Sequence, residues 1–295
     1  MNNNTEQIRA LEHKQSISFF YGAGMGFSAY FAIGLYLIGK YIDERCKIAA
    51  GICLLLFFVF WYMRGKLRIQ FWDIFWQQSL LVMEKHMEWM RFDRKSGFTE
   101  EEIKTLGMTE PVHQYNSSHQ VSGSYHGIPF RDVTIRIERR IPSRRRNSYE
   151  DYFWGRMFVC ENMPEDLPEV MIRTLLFHHW NEGIIPAHRC EIEELKKGVT
   201  MSVYIENKAD EERFFTPAVM DKINQLNRTV FNLAIRFYDG KMIVQYTASS
   251  GKVQASSFHR RQFGSMEEKI KKDANELLTI LDLAETVRAE WEEVS

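Results

Sequence analysis

His178 and His179 stand side by side, and His188 and Cys190 follow shortly after. Imidazole and thiolate are borderline-soft donors, so these four residues make the chain's best candidate for a zinc site. Their spacing argues against one. Adjacent residues on a strand point to opposite faces, so only one of the paired histidines can meet His188 or Cys190 on a regular backbone. No recognised ligand spacing surrounds them. Histidines in a surface loop account for the same residues.

A second chemistry would use Cys160 or Cys190 as nucleophile with one of these histidines as base. Neither cysteine sits at a helix N-terminus or in a glycine-rich elbow that would activate a thiolate. Both lie in strand-like sequence, where cysteine is usually a small buried apolar residue. The chain also has no P-loop, no GxGxxG after a strand and no HExxH. No cofactor is therefore expected. With four cysteines and no CxxC pair, neither a disulfide framework nor a zinc ribbon is indicated, in keeping with a reducing compartment.

Lys plus Arg number 38 against 39 Asp plus Glu, so no global charge draws the molecule to nucleic acid. The basic residues that do cluster are Arg139, Arg140, Arg144, Arg145 and Arg146. Pro142 and Ser143 split them, which places the segment in an exposed loop after a strand ending near Glu138. Anionic lipid headgroups are the partner such a loop suits, with nucleic acid as the competing partner and simple solvation as the plain alternative.

The elements that carry these residues begin in a membrane. Gln15 to Gly39 holds no ionisable side chain and is long enough to cross a hydrocarbon core of about 30 Å. Ile48 to Met63 is shorter, but Trp61 and Tyr62 suit headgroup level while Lys47 and Arg64 can snorkel. The two spans, about 16–39 and 48–64, form a hairpin joined by KYIDERCK. Arg9, Lys14, Arg64, Lys66 and Arg68 flank its outer ends, which favours a cytoplasmic large domain at the bacterial inner membrane. Gly22 and Gly26 form a GxxxG, for packing against the chain's own second helix or against another copy. Neither span carries an ionisable residue, which argues against a transport pathway through this chain alone.

Residues 67–92 read as an amphipathic helix continuing the second span, with Trp72, Trp76, Leu80, Met83, Met87 and Met90 on one side. That stripe serves either its own core or a partner, and Trp72 and Trp76 suit a lipid or partner surface. Further on, Val133, Ile135 and Ile137 alternate with polar residues as a half-buried strand does. Strands are also expected over 121–130, 152–161, 170–176, 188–193 and 200–206. Asp239-Gly240 predicts a type I′ hairpin between 231–238 and 241–248. Short helices are expected at 99–106 and after Thr216-Pro217, and a longer one over 266–291. The expected organisation is an anchor over 1–66, a linker over 67–110 and a soluble domain over 111–295. The fold class is α+β: a transmembrane hairpin, then a β-rich curved-sheet or barrel-like domain with a C-terminal helix.

The blocks SGSYHGIPFRDV (122–133), FWGRMFV (153–159), VYIENKADEERFFTPAVMDKI (203–223) and FYDGKMIV (237–244) carry a resemblance. In these the chain resembles a bacterial family of two-span membrane proteins known as a domain of unknown function. The likeness covers most of the chain. It implies no catalytic residue or ligand, and it implies a LemA-type membrane protein as a partner. Its arginine-rich insertion sets this chain apart. The expected function is a non-enzymatic binding or scaffold module at the cytoplasmic membrane face. The alternatives are a membrane-bound hydrolase or metal-dependent enzyme, and an accessory subunit of a larger membrane complex.

Overall fold

The computed structural model describes residues 3–41, 44–108, 114–141, 148–174, 184–192, 195, 200–247 and 265–294. The chain divides into two compact units, Met1–Val82 with Lys252–Lys271, and Met83–Gly251 with Lys272–Ser295.

The first unit is built on two long helices, α1 (Asn3–Tyr41) and α2 (Arg45–Met83). Both are apolar enough to cross a membrane, and only 11% and 6% of their most apolar stretches are buried. Phe20, Phe27, Tyr30, Ile48, Leu55 and Tyr62 are among the large side chains left exposed. Within the hairpin a Cβ at Gly24 would lie 3.0 Å from the Phe60 ring, so the missing side chain there admits the aromatic. At the polar end of the hairpin, Leu11 of α1 packs with Phe71 and Phe75 of α2 and with Met266 and Ile270. Lys14 Nζ donates to Gln70 Oε1 at 2.8 Å beside them.

The helix expected over 67–92 differs in the structure. Helix α2 ends at Met83, a 3₁₀ turn covers Glu84–His86, and strand β1 (Trp89–Asp93) follows. The helical spacing of Met83, Met87 and Met90 is overridden because Trp89 to Asp93 pair residue by residue with Ser124 to Gln120. Sheet hydrogen bonds thus satisfy a backbone that propensity alone would have coiled.

The second unit is an open antiparallel sheet. Its strands are β1, β2 (Gln114–Tyr125), β3 (Ile128–Ile141), β4 (Ser148–Cys160), β5 (Val170–Thr174), β6 (His188–Cys190), β7 (Met201–Ile205), β8 (Phe231–Tyr238) and β9 (Lys241–Thr247). Their order is β1-β2-β3-β4-β9-β8-β5-β7-β6, which leaves β1 and β6 at the edges. Both tight hairpins turn on paired positive φ angles, 48° and 76° at His126-Gly127 and 51° and 64° at Asp239-Gly240. That pairing is what a two-residue I′ turn requires. Strand β3 also runs further than expected. Arg139 and Arg140 lie in register with Glu150 and Tyr149, so they belong to the strand and not to a loop. Continued pairing with β4, acid opposite base at the first position, extends the ladder past Glu138. Arg144, Arg145 and Arg146 lie outside the described residues.

Helix α3 (Glu100–Leu106) starts on a capping box between Thr99 and Glu102 and stops at left-handed Gly107. Helix α4 (Glu211–Phe214) is a single turn, and α5 (Pro217–Thr229) is capped by the Thr216 hydroxyl, which accepts from the Val219 amide. Helix α6 (Met266–Val294) closes the chain. Alternation gives the sheet two apolar faces. Val133, Ile135, Ile137, Met157, Val159, Met171, Ala234 and Ile243 pack with Phe98, Ile103 and Met108 on one face. The residues in the opposite phase, Asp132, Arg156 and Tyr246 among them, are directed toward α6.

Candidate functional site

Charged side chains on the α6-facing side of the sheet sit in otherwise apolar phase. Asp132 shares its side of β3 with Phe130, and Arg156 shares its side of β4 with Phe158 and Cys160. Asp132 is 1% exposed and Arg156 7%, so neither is solvated by bulk water. Arg156 Nε donates to Asp132 Oδ2 at 2.8 Å, and Nη2 reaches the same oxygen. Burial pushes the Asp132 carboxyl up from its usual range, the Arg156 guanidinium pulls it back, and Asp273 of α6 pushes it further up. Burial opposes the charge of Arg156, but Asp132 and then Tyr246 outweigh it, so the guanidinium stays charged. Burial and the Asp132 charge together drive the Tyr246 phenol well above its ordinary value. Glu276 of α6, also buried, acts on Tyr246 in the same sense.

This arrangement is a clamp in chemical terms. One guanidinium holds carboxylate and phenol groups from β3, β9 and α6 in a sealed layer where charges interact strongly. No member is open to a substrate, and the phenol and guanidinium are both held in the protonated form. A second set of contacts fixes the β2–β3 turn to the same helix. Tyr125 Oη donates to Asp282 Oδ1 at 2.8 Å, His126 Nδ1 meets Glu285 Oε1 at 2.6 Å, and Arg288 Nη2 donates to the His126 carbonyl at 2.9 Å. Glu88 holds the turn from the other side, accepting from Ser124 and from the Gly127 amide; those two hydrogen bonds lower its carboxyl below the ordinary range. Arg213 of α4 lies 3.6 Å over the Trp291 ring, which joins α4 to the end of α6.

The residues singled out from sequence fall elsewhere. His188 is exposed and Cys190 is buried on β6. His178 and His179 lie outside the described residues. Among the described residues no group of three or more His, Cys, Asp or Glu could hold a metal. Burial pushes the thiols of Cys160 and Cys190 up to about 12, the opposite of an activated nucleophile. Trp72 and Trp76 are half-buried, Trp72 against the Leu11, Phe71 and Phe75 cluster. Gly22 is half-buried, whereas a Cβ at the exposed Gly26 would meet nothing within 4 Å. Asp132, Arg156, Asp273 and Glu276 were missed. Their signal was present: FRDV and FWGRMFV each place a charge in the apolar phase of a strand, and Asp273 and Glu276 adjoin the Ala274 and Leu277 stripe of α6.

No family model matches the chain, and no curated protein matches it. Among solved structures, the chain is similar to the mycobacterial trehalose monomycolate transport factor A, TtfA, at 9% identity and a TM-score of 0.36, over 64% of this chain and 88% of that one. A likeness that low carries no argument about function, and the site has to be read from its own geometry.

Proposed function

We propose that the protein is a membrane-anchored, non-enzymatic binding module in which the α1–α2 hairpin holds the sheet domain at the cytoplasmic face of a bacterial inner membrane. The observation that carries this reading is the exposed apolar surface of the hairpin. A core helix of a soluble protein buries its apolar stretch, whereas these two bury 11% and 6% of theirs. The sealed clamp fits such a module, since its ionisable groups hold α6 on the sheet. Anionic headgroups are the partner proposed for the arginines of 139–146, and a LemA-type membrane protein is the protein partner proposed from the family resemblance.

The test is alkaline carbonate extraction of membranes containing the full chain, with an impermeant thiol reagent applied to intact cells whose chain has Cys46, Cys53, Cys160 and Cys190 changed to Ser and one cysteine added after Ser295. The chain should stay with the membrane pellet and the added cysteine should be protected. Release into the supernatant would remove the anchor, and ready labelling would reverse the orientation.

A further inference from the structure

In the layer under α6 the buried carboxyls outnumber the buried cations. Asp132, Asp273 and Glu276 are 1%, 6% and 1% exposed, and among the described residues Arg156 is the buried cation that faces them. Arg236, also buried, pairs with Glu169 on the opposite face. The contacts of Asp132 show where this imbalance falls. Arg156 Nε donates to Asp132 Oδ2 at 2.8 Å and Nη2 reaches the same atom, while Oδ1, sealed in the same layer, makes no hydrogen bond. A buried carboxylate oxygen without a donor bears the full cost of its lost hydration.

After Arg156, the group that acts most strongly on this carboxyl is a second acid, Asp273, ahead of the Tyr246 phenol. Tyr246 keeps its own proton, held by burial and by the Asp132 charge, and Glu276 acts on that phenol in the same sense. Two neighbouring carboxyls out of water resist ionising together, and one proton between them turns repulsion into a hydrogen bond. That proton gives Oδ1 a partner and leaves the pair with a single negative charge opposite Arg156.

We propose that Asp132 and Asp273 form an acid–carboxylate pair that holds one proton at neutral pH, so that rising pH weakens the seat of α6 on the sheet. This goes beyond the anchored-module reading and does not depend on it. Burial and Asp273 raise the Asp132 carboxyl against the pull of Arg156. The stability contributed by the pair is therefore complete below about pH 4, the ordinary carboxyl value, and is lost as pH rises through the raised value.

Asparagine has the shape of a protonated aspartate, so it tests the pair. The purified full chain is melted at pH 6 and pH 9 as wild type, Asp132→Asn, Asp273→Asn and the double variant. From pH 6 to pH 9 the wild-type Tm should fall by about 3 °C or more beyond the change in either single variant. At pH 6 each single variant should melt close to wild type, because its amide bonds the remaining carboxylate and one negative charge still faces Arg156. The double variant should melt below both, since the pair then offers Arg156 no charge. The infrared spectrum of wild type at pH 7 should show the C=O stretch of a protonated carboxyl, and either single substitution should remove it. A loss of about 6 °C or more at pH 6 in Asp132→Asn would mark an ordinary ion pair with Arg156 and overturn the proposal. The same pH response in wild type and both single variants would overturn it too, as would a wild-type spectrum without that band or a band that survives both substitutions.

Discussion

Arg156 is the residue on which the clamp turns, because it is the buried cation facing Asp132, Tyr246 and Asp273. Arg156→Met leaves Asp132 buried without its partner, and breaking a buried pair in this way costs about 3–5 kcal/mol. In urea unfolding the single variant should lose stability of that order. A paired Asp132→Leu and Arg156→Met chain should recover part of it, since the Asp132 charge is then gone while the buried Asp273 and Glu276 of α6 stay in the layer. Equal loss in the single and double variants would mean that the two side chains contribute through shape and not through charge.

At the scale of elements, the period-two alternation and the two-residue turns were legible. The hairpin at Asp239-Gly240, the Thr216 cap and the strand through Val133, Ile135 and Ile137 all follow from local chemistry. Strand β1 was not legible, because what makes it a strand is pairing with Gln120 to Ser124, a partner distant in sequence. The outward extension of β3 through Arg139 and Arg140 is of the same kind. The burial of Gln245 was hidden for a different reason: a glutamine in a strand reads as the solvent side, and only its pairing with the buried Met157 and Ala234 shows that this side is also covered. Gly240→Val tests the turn. At φ 64° a β-branched residue is strained, so the variant should lose about 1–3 kcal/mol. An unchanged melting temperature would count against this β8–β9 register.

For the whole molecule, two helices apolar enough to cross a membrane precede the sheet domain, and each basic group near an anionic surface adds about 1 kcal/mol of attraction before screening. The chain with Arg139, Arg140, Arg144, Arg145 and Arg146 all changed to Ser should bind anionic liposomes added in trans less well than wild type at low salt. Equal binding would remove lipid headgroups as the partner of that segment. Membrane anchoring requires that the exposed faces of α1 and α2 lie in hydrocarbon. Phe31 and Leu55, 54% and 63% exposed, are the positions to ask. Spin labels on single cysteines there, in proteoliposomes, should relax faster with dissolved oxygen than with a water-soluble nickel chelate. Faster relaxation by the nickel chelate at both positions would put the hairpin in water and contradict the anchor.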